Sequence, residues 1–541
     1  MSEITGGQAA VRALIKSGIK QVYGLPGVQN DWLYNAFYDY RDEIKVIHTR
    51  HEQGAGYMAL GHYLATGEHA VYNIVPGPGF LNSTGALSTA WGLNAKVLCL
   101  VGQIPKKVQG KNLGVLHEIP DQMGIMERLT KWSAKVDSPS EAPSVISQAF
   151  SQLESGRPRP VGVEIPMDVL SGTGHVSFDN YSVKGEPTPI DQDSVSKAVE
   201  LIKNAKNPLV FVAGGAMHAS SEVIEFVEHL QSPVFAYRTG KGIVPSSHYL
   251  SYPVPAAHAL WADCDLCIAI GSHARMPLLK WGQDDNLKFL SINIDKDAHH
   301  NMRKADVAIT ADSKEAITQL NTQIKEAFDP RPSIEKEMVA FAESWKEQTA
   351  YLEPQASYLK LIREELPADG IFVDELTQVG FASRIVWDTD QPRTYLCTGH
   401  MGTLGWGFQT ALGAKAACPD KMVISVAGDG GFMFGVQELA TAVQHKLGVI
   451  VLLFNNNLFG NVRSMQENLY DNRVIATDLH NPDFVKMAHS FGAHSTRVHD
   501  MDELRQAIRD AKGQDLPTVI EIPVGNDWPS TNRFKALPKV R

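Results

Sequence analysis

The 541-residue sequence has no long hydrophobic run; none reaches the ~18 consecutive apolar residues that a membrane-spanning helix needs. Its first residues, Met1-Ser2-Glu3-Ile4-Thr5, lack the basic and apolar stretches of a secretory signal, so none is expected. Long basic stretches are missing too, and the formal net charge is −10, which argues against a nucleic-acid binder. Small anions are not excluded, because helix N-termini and metal ions can hold them locally. Cysteine is scarce: the five are Cys99, Cys264, Cys267, Cys397 and Cys418, an odd, sparse set that fits a reducing cytoplasm. Cys264-Asp265-Leu266-Cys267 has C-x-x-C spacing, but 263–271 reads as a buried strand and no second pair completes a zinc site. Compositional bias is absent as well: 43% hydrophobic and 20% charged residues describe an ordinary globular protein.

What the sequence does contain is alternation. Its length suggests about three domains. In residues 1–175, Val22-Tyr23-Gly24-Leu25-Pro26-Gly27 reads as a strand end and turn, 97–102 and 161–165 as short apolar strands, and 54–66 as a helix. Apolar runs of this length separated by helices imply a parallel sheet covered on both faces. Residues 171–193, polar with glycine and proline, read as a linker. A second block, 190–330, has strands at 208–213, 266–270 and 289–294, with Gly214-Gly215 after the first. A charged helical connector leads to the third block, 351–541. The expected fold class is α/β, with three doubly wound parallel-sheet domains.

The first and third blocks resemble each other. Pro160-Val161-Gly162-Val163-Glu164-Ile165-Pro166 closes one and Pro517-Thr518-Val519-Ile520-Glu521-Ile522-Pro523 the other. Each opens with a strand running into a turn. Tyr23 to Val163 spans 140 residues and Val373 to Ile520 spans 147, so a duplicated domain is expected.

The third block carries the most specific signal. An apolar strand, 422–427, runs into Gly428-Asp429-Gly430-Gly431, and a helix with Val436, Leu439, Ala440, Val443 and Leu447 on one face is expected after it. A second apolar strand ends in Asn455-Asn456, and 24 residues separate Gly428-Asp429-Gly430 from Asn455-Asn456. Strand C-termini in an open α/β sheet form the ligand crevice. The glycines let backbone N–H groups approach phosphate oxygens, and Asp429 with the Asn456 carbonyl supplies hard oxygen ligands suited to Mg²⁺.

This segment resembles the thiamine diphosphate signature. The chain as a whole is similar to the acetolactate synthase/pyruvate decarboxylase superfamily over about residues 1–530, in the order pyrimidine-binding, central and diphosphate-binding domain. The resemblance implies that Asp429, Asn456 and the Leu458 carbonyl ligate Mg²⁺. Gly428, Gly430 and Gly431 would meet the diphosphate, with Thr377 and Gln378 as further candidates. Arg50-His51-Glu52-Gln53 resembles the family's segment with the catalytic glutamate, so Glu52 would hydrogen-bond N1′ of the aminopyrimidine; a buried carboxyl with a raised pKa suits that exchange. Gly399-His400-Met401-Gly402-Thr403-Leu404-Gly405-Trp406-Gly407 resembles the glycine-rich segment beneath the thiazolium. There the Gly402 carbonyl would accept from the 4′-amino group, and Leu404 would wedge the cofactor into its bent form. In this superfamily Glu52 and the diphosphate site belong to different subunits, which implies at least a homodimer and often a tetramer.

The reaction implied is addition of the cofactor's C2 carbanion to a 2-oxo acid, loss of CO₂ and an enamine that is either protonated or adds to a second carbonyl. Gly24-Leu25-Pro26-Gly27-Val28, Pro76-Gly77-Pro78-Gly79 with Asn82, and 432–442 are similar to the acetolactate synthase branch. Met465 stands where biosynthetic acetohydroxyacid synthases place a tryptophan, and His273-Ala274-Arg275-Met276-Pro277 replaces their Arg-Phe-Asp-Asp-Arg. The leading expectation is an acetolactate synthase-like carboligase or decarboxylase. Alternatives are a non-oxidative decarboxylase of a larger branched or aromatic 2-oxo acid and a non-catalytic thiamine diphosphate-binding subunit. Acid–base candidates are His117, His400 and Gln103, with Glu118 nearby; Val28, Phe459 and Met465 are candidates for the substrate pocket. FAD is not expected, because the segments around Gly214-Gly215 do not match flavin contacts.

Overall fold

The computed structural model describes residues 2–526, 528, 531 and 536–541. Two compact units form: Met1–Pro187 with Thr398–Val524, and Thr188–Cys397 with Gly525–Arg541.

In the first unit a parallel sheet runs Lys45–His48, Gln21–Gly24, Ala70–Ile74, Val97–Gln103, Val161–Pro166, Trp132–Lys135. Its inner strands Ala70–Ile74 and Val161–Pro166 are buried at every position, as continuous apolar runs in a sheet covered on both faces should be. Counted in chain order these strands lie 2-1-3-4-6-5. The same unit holds Val423–Gly428, Ile450–Asn455, Thr518–Pro523 and His494–Arg497, which pair in parallel in the same relative order as the last four strands of the first sheet. Ile371–Val373 and Tyr395–Leu396 pair in parallel within the second unit.

The likeness of the two halves extends to side chains. Glu164 faces Val101 and Lys135 across its sheet, and Glu521 faces Leu453 and Arg497 across the other. Gln103 and Asn455 stand opposite Pro166 and Pro523. Each donates its side-chain amide to the buried glutamate, Gln103 Nε2 at 3.0 Å and Asn455 Nδ2 at 2.8 Å. Shared strand order and a shared amide–glutamate–cation arrangement support duplication over chance.

Two helices lie back to back at the centre of this unit. Glu52–Thr66 and Trp406–Ala417 cross where a Cβ on Gly61 would fall 2.0 Å from the Thr410 carbonyl oxygen, and one on Gly413 2.0 Å from that of Met58. Helix Trp406–Ala417 is buried from Trp406 to Ala414, so its near-continuous apolar sequence has no exposed face to pattern.

Two sequence expectations need correction. Residues 171–193 are not all linker, because Thr173–Val176 pairs antiparallel with Ser2–Thr5 and so satisfies its backbone groups. The single helix expected after Gly431 is instead a short turn, Asp429–Phe432, and a separate helix, Glu438–Gln444. Leu439 and Leu447 are buried, but Glu438 and Thr441 are buried with them while Val436, Ala440 and Val443 are only partly covered. The helix is rotated because the Glu438 carboxylate has backbone donors to meet inside the unit.

In the second unit the central sheet runs Ser251–Pro253, Val234–Ala236, Pro208–Val212, Leu266–Ile270, Lys288–Asn293, Val307–Thr310. This is the 3-2-1-4-5-6 order of a nucleotide-binding doubly wound domain. No helix among the described residues is long and apolar enough to cross a membrane.

Candidate active site

Gly428 is in register with Phe454, so Asp429 and Asn455-Asn456 leave neighbouring parallel strands side by side. Asp429 is only 2% exposed. Burial pushes its carboxyl up, and the Asn481 amide and the backbone N–H groups of Gly430 and Asn456 draw it back. Asn481 Nδ2 lies 2.7 Å from Asp429 Oδ2, 3.1 Å from Asn457 Oδ1 and 3.2 Å from Asn455 Oδ1. A bridge stitches the loop carrying Asn481 to the metal loop: Phe459 N donates to Thr477 O and Leu479 N to Asn457 O, each at 2.8 Å. The bridge uses atoms on either side of the Leu458 carbonyl and leaves that oxygen outside it. A carboxylate, side-chain amide oxygens and a spare carbonyl at the end of a strand pair fit Mg²⁺, which prefers a few protein oxygens alongside phosphate.

Gly430 faces a cavity of about 440 Å³ whose walls include Phe434, Phe459, His480 and Asn481. A Cβ on Gly430 would fall 2.5 Å from the Phe459 ring. The turn before helix Trp406–Ala417 has positive φ at Gly399, Gly402 and Gly405 (64°, 63° and 79°), which only glycine adopts at little cost. Gly405 also backs onto Phe434 and the Gly431 carbonyl, so this turn and the diphosphate loop are in contact. Leu404 is half-buried on it. His400 is exposed, and its ring lies 2.9 Å from where a Cβ on Gly92 would stand.

Glu52 opens helix Glu52–Thr66, capped by His51, whose Nδ1 accepts from Gln53 N. It is half-buried. Asn82 Nδ2 donates to its Oε2 at 3.0 Å, and its Oε1 lies 3.3 Å from the Cβ position of Gly79. Both neighbours come from the first turns of helix Pro78–Gly92. That helix start is fixed in turn by Gln122, which accepts from Gly77 N at 2.9 Å and donates to Glu164 Oε2 at 2.9 Å. Burial pushes the Glu164 carboxyl up.

His117 has a positive φ of 69°, and its carbonyl oxygen is 2.4 Å from the Cβ position of Gly77, so the loop holding it lies against the same helix start. Its Nδ1 is buried without a hydrogen-bond partner among the described residues. Gln103 is spent at both ends: Nε2 on Glu164 and Oε1 on Ile104 N at 2.8 Å. Glu118 closes its own turn by accepting from Gly114 N at 2.7 Å. Val28 and Met465 are 54% and 47% exposed.

Glu438, absent from the sequence reading, joins the two halves of this unit. It is fully buried and accepts from Arg50 N at 3.1 Å, His51 N at 3.0 Å and Thr441 Oγ1 at 2.5 Å. Helix Glu438–Gln444 thus holds the backbone immediately before Glu52.

In the second unit Thr377 caps helix Gln378–Val386 by accepting from Gly380 N at 2.9 Å, and Gln378 Oε1 accepts from Thr531. Arg275 is exposed at the start of helix Arg275–Lys280. At the switch point of the central sheet Gly215 N donates to Gly271 O at 3.3 Å, and a Cβ on Gly215 would fall 2.7 Å from Gly271 Cα.

Three family models match along the chain: the N-terminal TPP binding domain of thiamine pyrophosphate enzymes over residues 4–125, their central domain over 195–320 and their C-terminal TPP binding domain over 377–522. A probable 2-ketoarginine decarboxylase of Pseudomonas aeruginosa is 30% identical over 535 residues, which covers 96% of this chain and 94% of the relative. The chain belongs to the thiamine pyrophosphate enzymes. Other relatives of this thiamine pyrophosphate enzyme include a probable acetolactate synthase large subunit of Methanocaldococcus jannaschii, 30% identical over 96% of this chain and 92% of its own. The acetolactate synthase isozyme 3 large subunit of Escherichia coli is 28% identical over 95% and 93%. Sequence reasoning about the enzyme missed Gln122, Glu164, Glu438, Asn481 and Glu521 as supports of the site. A signal existed for Glu164 and Glu521: each is an acid inside an otherwise apolar strand.

Proposed function

We propose that this enzyme binds thiamine diphosphate through Mg²⁺ and acts on a 2-oxo acid, as an acetolactate synthase-like carboligase or decarboxylase. The reading is carried by the oxygen cluster around Asp429 at the strand ends. Asp429, Asn456 and the Leu458 carbonyl would hold the metal, and Gly428, Gly430 and Gly431 would receive the diphosphate, with Thr377 and Gln378 as further candidates. When bound, the cofactor supplies a carbon nucleophile and an electron sink for decarboxylation.

The chain's own part is positional and protonic. Glu52 would exchange a proton with N1′ of the pyrimidine. Asn82 occupies one of its carboxylate oxygens and leaves the other to turn toward the ring. The Gly402 carbonyl would accept from the 4′-amino group, and Leu404 would support the cofactor from below. His117 and His400 are the candidates for moving protons on the substrate; the buried, unpartnered Nδ1 of His117 favours it. Gln103, engaged at both ends, serves as a positioning residue. Val28, Phe459 and Met465 line the substrate space.

A second reading, decarboxylation of a larger 2-oxo acid, is favoured by Met465 in place of tryptophan and by the name of the Pseudomonas relative. The non-catalytic alternative is disfavoured by the intact Glu52 and Asp429. Flavin is no part of the proposal, because the segments around Gly214-Gly215 do not match flavin contacts. The domains are taken as 1–175, 190–330 and 351–541. The family resemblance is the ground for taking the assembly as at least a homodimer, and as a homotetramer, working in the cytoplasm.

Incubating the holoenzyme with pyruvate, phenylpyruvate, benzoylformate and 2-ketoarginine, and identifying the products, tests the assignment. Acetohydroxy acid supports carboligation; aldehyde alone rejects it as the main activity. Glu52→Gln should lower turnover by about 10²- to 10⁴-fold, the range of general acid–base contributions, while the cofactor is retained. An unchanged rate would remove Glu52 from the chemistry.

A further inference from the structure

We propose that Asn481 is a positioning residue of the metal loop, a side chain that orders its oxygens for the cation. The inference rests on the reading of Asp429 as a metal ligand.

Three acceptors surround Asn481 Nδ2: Asp429 Oδ2 at 2.7 Å, Asn457 Oδ1 at 3.1 Å and Asn455 Oδ1 at 3.2 Å. A primary amide has two N–H donors, so its protons are shared among more oxygens than it can fully satisfy. The nitrogen therefore sits where a cluster of negative ends calls for positive charge. Remove it, and Asp429 keeps only its backbone donors and the Asn455 oxygen only the Asn457 N–H at 3.1 Å, with the side-chain donor they share gone.

Asn481 is itself held from two directions. The bridge of Phe459 N to Thr477 O and Leu479 N to Asn457 O fixes the approach of its loop, and Asp483 caps the helix Phe484–Ser490 that follows. On the far side, Asn455 donates to Glu521 Oε1 at 2.8 Å, and Arg497 Nη2 lies 2.8 Å from Glu521 Oε2. The amide of Asn455 is thereby oriented: its donor end is spent on Glu521, so its oxygen end faces Asn481. Arg497, Glu521, Asn455, Asn481 and Asp429 form a line in which every donor meets an acceptor. A network completed in this way fixes one rotamer for each member. Outer groups of this kind set the geometry and affinity of the ligands they touch.

Removing the amide should weaken metal binding without removing a ligand. The full-length protein, stripped of metal and cofactor, is titrated with Mn²⁺ in the presence of thiamine diphosphate, with free Mn²⁺ read by electron paramagnetic resonance. Asn481→Ala and Asn481→Leu, the second of which keeps the volume, should each raise the Mn²⁺ dissociation constant about 10-fold or more, the usual cost of losing such a partner. Their kcat at saturating Mg²⁺ should recover most of the wild-type value, and the Mg²⁺ concentration needed for half activity should rise in parallel. Asp429→Asn is the control. If it abolishes Mn²⁺ binding while both Asn481 variants bind within twofold of wild type, Asn481 is not a positioning residue. If Asp429→Asn also binds normally, the metal assignment itself is wrong.

Discussion

Replacing Glu438 by alanine is the sharpest perturbation of how this enzyme presents Glu52. The carboxylate accepts two backbone N–H groups, Arg50 and His51, and the Thr441 hydroxyl, in a site with no solvent exposure. Thr441 can rotate to another acceptor, but the two amides precede a helix start and cannot turn. A buried donor left unmet costs about 1–3 kcal/mol. Two of them, offset by no longer burying a carboxylate, give an expected local destabilisation of about 3 kcal/mol. Glutamine keeps one acceptor oxygen and should lose about 1–2 kcal/mol. Because unfolding of so large a chain is not a single transition, the measurement is hydrogen exchange of the peptide spanning residues 45–57. Protection there should fall by about 100-fold for Glu438→Ala, and turnover should fall with it while strand Thr518–Pro523 stays protected. There is also a pH signature. Burial raises the Glu438 carboxyl above its unfolded value, so its stabilising effect is complete below the ordinary carboxylate range and is lost as pH rises through the raised value. The wild type should therefore gain on Glu438→Gln as pH falls toward 4.5. Unchanged exchange in the alanine variant would refute the role given to Glu438.

Two further outcomes follow from the same unit. Gly61→Ala places a methyl 2.0 Å from the Thr410 carbonyl oxygen, over an ångström inside an ordinary carbon–oxygen contact of about 3.3 Å. Overpacking of this size costs about 3 kcal/mol or more, read as a lower thermal midpoint and loss of bound cofactor; a midpoint within 2 °C of wild type would mean that the helices can part. His445 is held down to about 4 by burial first and then by the charges of His48 and Lys45. A depressed base contributes stability that is present above its unfolded value of 6.5 and is lost as pH falls through the folded value, so His445→Gln should flatten the decline of the thermal midpoint between pH 6.5 and 4.

The three-domain α/β plan was legible because buried parallel strands are written as apolar runs, and the cofactor loop because its glycines, Asp429 and Asn456 sit at fixed places on two strands. The duplication showed in the closing segments around Glu164 and Glu521. Glu438 was hidden for a physical reason. Helical periodicity reports which residues avoid water, not which polar residue has been promised a donor from the other half of the chain, so it placed Val436 and Ala440 inward. Asn481 was hidden because a loop asparagine has no periodicity, and its partners lie 24 to 52 residues away. His117, by contrast, was reached only by its likeness to a family position.

The paired glutamates of the two similar halves carry a consequence for change. Doubling a domain is often pictured as making a spare, yet neither copy here is free to drift. An acid inside an apolar strand is tolerable only beside its amide and its cation, and the amides serve different masters: Gln122, which shares Glu164 with Gln103, steadies the start of helix Pro78–Gly92, while Asn455 steadies the loop of Asp429. The halves are alike in plan and not interchangeable in use. Transplanting one closing strand into the other position would carry its glutamate to the same register, so what keeps the two copies distinct is the amide each acid meets there, Gln103 with Gln122 in one half and Asn455 in the other.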